Sequence, residues 1–265
     1  MTGIDRRVFS LKVREVNVVS APMGPDSPQG CSQIIKVSIE AIFARLQSLA
    51  DEVRRFWEAR EEAQCRPVSR DLAQLRPRID ALLLQTESCV GAGVVLQPGT
   101  LADRQLYMEW RRQVGEGKLL SLSLNLDESS ANCFHYQDKP WFRVPRDHGT
   151  CTVAGPYVDL YCTGVYALTF SLPIVANGRF IGVAGVDLPM RDFERQLARH
   201  LMRLPQEALL VSAEGRVVAS NTADWTVGDL VGRLPADPGC TVLSLGEQAA
   251  NWSLICLPES GSLAA

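Results

Sequence analysis

The chain has 265 residues, 46% of them hydrophobic and 22% charged, with a formal net charge of −3. That is globular composition for one large domain or two small ones, and with Lys and Arg scattered and in no excess, the charge pattern excludes a nucleic-acid partner. No run approaches the roughly 18 apolar residues of a membrane-spanning helix, and residues 1–20 lack the apolar core of a signal peptide, so the expected location is cytoplasmic, with no membrane partner.

A short strand is predicted around Val16–Val19. Pro22, Gly24, Pro25, Pro28 and Gly30 then mark a linker over 21–30. Ile35, Ile39, Ile42, Leu46, Leu49, Val53 and Phe56 alternate in steps of four and three. This predicts a helix over 31–63 with a heptad seam. The seam either packs on its own sheet or forms a homodimer contact, and in the second case Ile34, Phe43 and Trp57 beside it are the positions left to meet a partner. A second helix is expected over 69–86, with Ser69 as N-cap and a kink at Pro77.

The pattern then turns to strands. Val90–Leu96 is one, Leu101–Gln113 is ambiguous, and Leu119–Leu126 alternates Leu with Ser or Asn as a half-buried strand does. Residues 127–150 form a long polar excursion containing Trp141. Tyr166–Val175 and Arg179–Leu188 form a hairpin around Asn177-Gly178. An amphipathic helix follows over Asp192–Leu204. A smaller strand unit then comprises Ala208–Val211, Val217–Ser220, Thr241–Leu245 and Trp252–Leu257.

Two carboxylates, Asp159 and Asp187, fall at defined points of this strand region, with Trp141-Phe142 upstream. Aromatic walls with carboxylates suit a small cation, which the rings attract and the carboxylates neutralise. Each acid also has a structural reading: Asp159 as a turn cap and Asp187 as the N-cap of the next helix. Tyr157 and Tyr161 either line a pocket or pack on the sheet. Cys133, His135, His148 and Cys151 supply four zinc-ligand types, but their spacing matches no common zinc pattern. They constitute the alternative reading, a cytoplasmic enzyme or zinc-binding protein. The eight cysteines are spread along the chain, several within apolar strand patterns, and read as free buried thiols of a reducing compartment.

Several segments together resemble the double Cache (dCache) family of PAS-like ligand-sensing domains. Pro140-Trp141-Phe142 resembles its Trp-Tyr lid motif, Pro156-Tyr157-Val158-Asp159 its Pro-Tyr-x-Asp, and Gly182–Leu188 its closing strand with a ligand-facing Asp. Ala213–Ser220 with Val227-Gly228 resembles the membrane-proximal module. The resemblance covers most of 31–258. It implies an α+β fold in which a long N-terminal helix precedes two PAS-like antiparallel sheet modules, the second smaller. The expected divisions are 1–30 as N-terminal segment and linker, 31–204 as helix plus ligand-binding module, 205–258 as second module, and 259–265 as tail. In the amino-acid-binding branch an Arg before the Trp-Tyr motif holds the ligand carboxylate; the position here is Lys139, and the Tyr position is Phe142. Both Asp positions that hold the ligand amine are kept.

The resulting expectation is a sensor rather than an enzyme, with no cofactor and no metal. It reversibly binds a small amine or amino-acid-like metabolite through Lys139, Trp141, Phe142, Tyr157, Asp159, Tyr161 and Asp187. The signal passes to a separate regulatory protein, and a homodimer through helix 31–63 is possible.

Overall fold

The structure, a computed structural model, describes residues 24–115, 117–160, 164–231 and 240–258. The strand expected at Val16–Val19 and the tail 259–265 lie outside these residues, as does Tyr161. Two compact units are present. The larger contains residues 36–196 and 247–250, and the smaller is built from the described residues of 1–35, 197–246 and 251–265. The fold is α+β, as the sequence predicts.

Helix α1 (Pro28–Glu62) carries the heptad seam. Within the larger unit Ile39, Leu46 and Val53 have no exposed surface. Each such side chain contributes about 1.5–3 kcal/mol of burial. The flanking positions are also used internally. Phe43 is 7% exposed with its ring 5.6 Å from that of Phe170, and Trp57 is 2% exposed. Neither is therefore free to meet a partner, which corrects the expected dimer surface; Ile34 stays half-buried.

The expected second helix is divided into α2 (Ser69–Leu72), a 3₁₀ turn (Ala73–Leu75) and α3 (Arg76–Gln85). Pro77 lies in the first turn of α3, where its missing N–H costs nothing, so it starts a helix instead of kinking one. Ser69 is the first helical residue and Val68 the N-cap.

Six antiparallel strands form the larger sheet: β1 (Gly91–Leu96), β2 (Met108–Val114), β3 (Lys118–Ser121), β4 (Thr152–Val158), β5 (Tyr166–Ala176) and β6 (Arg179–Pro189), in the order β3-β2-β1-β6-β5-β4. β3 stops at Ser121, five residues short of the alternating Leu pattern. Beyond it, Asn125 Oδ1 accepts from the Asp127 amide and Asp127 Oδ1 from the Ser129 amide, local bonds that compete with a ladder. Leu122 and Leu126 still reach the core as loop residues. The excursion contains a helix the pattern did not predict, α4 (Pro140–His148), opened by Pro140 and closed by Gly149 at φ 68°.

Helix α5 (Met190–Leu201) follows β6. The smaller unit holds β7 (Ala208–Val211), β8 (Val217–Ser220), β9 (Thr241–Ser244) and β10 (Ser253–Cys256), ordered β8-β7-β10-β9. Its core centres on Leu209, Val211 and Ile255, with Trp225 and Val242 against them. Asn221 ties this unit together: its Oδ1 accepts from the Ala208 amide, and its Nδ2 donates to the Leu201 and Gln206 carbonyls. Among the described residues no helix is long and apolar enough to cross a membrane.

Candidate functional site

Strand alternation sorts the residues of the larger sheet onto two faces. On β2, Glu109 and Arg111 face α3. Arg76 donates to Glu109 at 2.9 and 3.3 Å, and Arg111 to Asp80 at 2.7 and 3.1 Å. Trp110 and Arg112 therefore point to the opposite face, where Trp110 meets Leu122 and Leu126 together with Cys133, Phe134, Tyr136, Trp141 and Phe142 of the excursion. Trp110 belongs to the cluster of Val95, Tyr136, Phe142 and Val183 there, and Trp141 packs against it.

Register places two rows side by side on this face. One runs Arg112, Gly91, Asp187, Thr169, Ala154; the next runs Trp110, Gly93, Gly185, Ser171, Thr152. The Trp110 indole lies over the two glycines. A methyl group at Gly93 would stand 2.9 Å from Trp110 Cε3, and one at Gly185 3.2 Å from Trp110 Cη2. Glycine is required at Gly93 because an added Cβ would collide first with the Glu109 carbonyl and the Trp110 backbone, whatever the side chain at 110.

Asp187 is 5% exposed and sits within β6, so the N-cap reading does not apply. Thr169 Oγ1 donates to Asp187 Oδ1 at 2.6 Å. That hydroxyl has a single proton, so the Tyr157 hydroxyl bonded to it is the donor in their pair. Tyr157, Thr169 and Asp187 thus form a chain of hydrogen bonds ending on the carboxylate. Among the described residues no Lys or Arg pairs with Asp187. Burial pushes its carboxyl up to about 7, the Thr169 hydroxyl pulls the other way, and the Asp159 charge adds to the rise.

Asp159 follows β4 and is 8% exposed. Its amide donates to the Val165 carbonyl at 2.9 Å, and its carbonyl accepts from the Gly164 amide at 2.7 Å. These bonds tie Asp159 to Gly164 and Val165, and its charge is near enough to act on Asp187. Trp141 occupies the first turn of α4 and is half-buried. Its carbonyl accepts from Ser171 Oγ at 2.6 Å, which pins α4 to the sheet one row from Asp187. Trp141, Tyr157, Asp159 and Asp187 are thus gathered on one face.

Two expected residues are not in this group. Phe142 has no exposed surface. Its ring meets Tyr136 at 5.2 Å and Phe180 at 5.6 Å, which makes it a core side chain. Lys139 places its ammonium over the Phe134 ring at 5.7 Å. The expected pattern did not include Thr169, Ser171, Trp110 and Arg112. Alternation in Tyr166–Val175 already puts Thr169 and Ser171 on one side; Trp110 and Arg112 needed the β1–β2 register.

A nearly buried carboxylate beside an indole is an arrangement that suits a cation, which both groups attract. Cys89, close enough to feel the Asp187 charge, donates to the Gly91 carbonyl at 3.1 Å, and burial pushes its thiol up to about 12, so it stays neutral. Among the described residues no group of three or more His, Cys, Asp or Glu is placed to hold a metal. The zinc alternative is corrected accordingly: Cys133 packs on the Phe142 cluster, and Cys151 reaches the Glu247 carbonyl at 3.6 Å.

Residues 75–195 match the family described as the first PDC sensor domain of methyl-accepting chemotaxis protein-like proteins. No curated protein matches the chain by sequence. Solved structures share the fold. The extracellular domain of histidine kinase mmHK1S-Z2 aligns at TM-score 0.59 and 15% identity, covering 85% of this chain and 91% of that one. The ligand-binding domain of the Pseudomonas aeruginosa PAO1 amino-acid chemoreceptor PctB, in complex with L-Arg, gives 0.56 and 16%, covering 88% and 87%. The sensory domain of the Campylobacter jejuni chemoreceptor Tlp3 gives 0.55 and 12%, covering 87% and 91%. These matches overturn the cytoplasmic expectation, because the domains that share this two-module fold include extracellular sensor domains. The spread-out cysteines, read above as a sign of a reducing compartment, do not carry that conclusion.

Proposed function

We propose that this double Cache domain, whose residues 75–195 match a chemoreceptor-type PDC sensor domain, is the sensing module of a signalling system and binds a small amine or amino-acid-like metabolite reversibly. The observation that carries the reading is the Asp187–Asp159 pair, nearly buried on one face with Trp141 and a hydroxyl chain. A ligand ammonium there gains charge-assisted bonds from a desolvated carboxylate and the attraction of an indole. PctB in complex with L-Arg and PctC in complex with GABA, which share the fold, support an amino-acid-like class. Tyr161 and Lys139 belong to this proposal only as contacts made when the ligand is in place. Occupancy is read by a kinase or chemotaxis partner. A homodimer through α1 would have to use its exposed side, around Val37, which is 52% exposed.

The test is a thermal-shift screen with amines, α-amino acids, ω-amino acids and plain carboxylates, followed by calorimetry. A true ligand at a hundred times its dissociation constant adds about 2.7 kcal/mol of stability. The expected hits carry an ammonium, and Asp187→Asn abolishes them. If the best ligand is a plain carboxylate, or binds Asp187→Asn as well as wild type, the proposal fails.

A further inference from the structure

The larger unit has a concavity whose lining shares no residue with the Asp187 row. It is a cleft of about 750 Å³ where α1 ends, β1 runs out and β6 begins. That is within the range of small-molecule sites, roughly 300–1,000 Å³. Trp57 and Phe180 supply its apolar wall, and Glu61, Arg66, Arg146 and Arg179 its charges.

Each guanidinium is held in place by protein atoms. Arg66 uses Nη2 on the Gly99 and Leu101 carbonyls at 2.6 and 3.0 Å, which leaves its Nε and Nη1 hydrogens without a protein partner among the described residues. Arg179 is fixed by Glu61, whose other oxygen accepts from Asn177 Nδ2 at 2.6 Å. Arg146 is braced by Asp147 at 2.8 Å and by the Gln137 carbonyl at 3.3 Å. Three guanidiniums against Glu61 and Asp147 leave one positive charge in surplus. Gln97 adds a polar group of the opposite kind. Its Oε1 is buried and accepts no hydrogen bond among the described residues.

We propose that this cleft is a second ligand site, for a small hydroxylated organic anion: the oxyanion meets the Arg66 and Arg179 guanidiniums, and a ligand hydroxyl donates to Gln97 Oε1. Preset guanidinium forks suit oxyanions, whether carboxylate or phosphate, and a buried acceptor without a donor favours a ligand that brings one. The site is separate from the proposed amine site and does not rest on it.

The experiment is calorimetry at constant ionic strength with D-gluconate, glycerol 3-phosphate and, as a control without a hydroxyl, acetate. At least one of the first two should bind saturably at one per chain. Which of them binds tells carboxylate from phosphate ester. The Arg66→Gln/Arg179→Gln variant should lose about tenfold or more in affinity, the effect of removing charge-assisted contacts. Asp187→Asn should titrate as wild type does, which separates this site from the amine site. If the double variant does not fold, Arg179→Gln alone is used, since that side chain is 67% exposed. Three results each overturn the proposal: no saturable binding of either hydroxylated anion, acetate binding as tightly, or unchanged affinity in the folded arginine variant.

Discussion

Replacing Asp187 by Asn should make the ligand-free protein more stable at pH 8 and leave it unchanged at pH 4. The carboxyl ordinarily titrates at 3.8 and is pushed to about 7 by burial. Between those values the folded state holds a proton that the unfolded state has released. Stability is therefore fully present below about pH 4, falls as pH rises toward 7, and is flat above that. A rise of about 3 units corresponds to about 4 kcal/mol of destabilisation at pH 8. Asn is neutral throughout and keeps an oxygen for the Thr169 hydroxyl at the position of Asp187 Oδ1. It should recover most of that difference, which at roughly 2–4 °C per kcal/mol is a melting shift of roughly 8–16 °C. The assay is thermal unfolding of both proteins at pH 4, 6 and 8 without ligand. A gap that is the same at all three values, or a wild type more stable at pH 8, refutes the reasoning.

Four further outcomes are expected. A cationic ligand needs the ionised carboxylate, so its affinity for wild type should rise with pH up to about 7 and level off above, read by calorimetry; a pH-independent affinity counts against Asp187 as its anchor. Phe142→Ala should cost about 3–5 kcal/mol in urea unfolding as a cavity in a packed aromatic cluster, whereas Trp141→Ala should weaken ligand binding with a smaller loss of stability. Phe43→Glu should fail to fold because it buries an unpaired charge against Phe170; a folded variant that merely dissociates would restore the dimer reading of that position. Labelling with a thiol reagent at pH 8 should modify exposed Cys65 quickly and spare buried Cys31, Cys89 and Cys256, which burial pushes up to about 11 or 12, until the protein unfolds.

The long helix, the β5–β6 hairpin and the small four-stranded unit were legible because their periods are unbroken and their turns carry the right residues. Asn177, at φ 48°, and Gly178, at φ 72°, adopt the turn that the dipeptide predicts. The excursion was not legible. A Leu-x-Leu alternation that looked like strand lost its backbone to side-chain turns at Asn125 and Asp127, and the α4 helix is too short to show a period. Of the site, the acids and Trp141 could be named from local motifs, since each sits in a distinctive short context. Phe142 could not be assigned from its neighbour: successive residues on a helix face different directions, and here one turns to the core. Trp110 and Arg112 become neighbours of Asp187 only through strands distant in sequence, a relation no local pattern contains.

The indole of Trp110 resting on Gly93 and Gly185 ties three positions into one evolutionary unit. While the large ring is present, side chains larger than hydrogen at Gly185 are crowded, and at Gly93 they also collide with the Glu109 backbone. A smaller residue at position 110 would open floor area beside Asp187 and ease the crowding at Gly185 to that of the Phe170 carbonyl at 3.2 Å, enough for a small side chain, but would not relieve Gly93. Descendants of this chain that recognise bulkier metabolites should therefore show the change at 110 first and diversity at 185 afterwards, with the acids untouched. On the proposed reading, ligand range would then widen along the Trp110 row while the charge proposed to select an ammonium stays fixed.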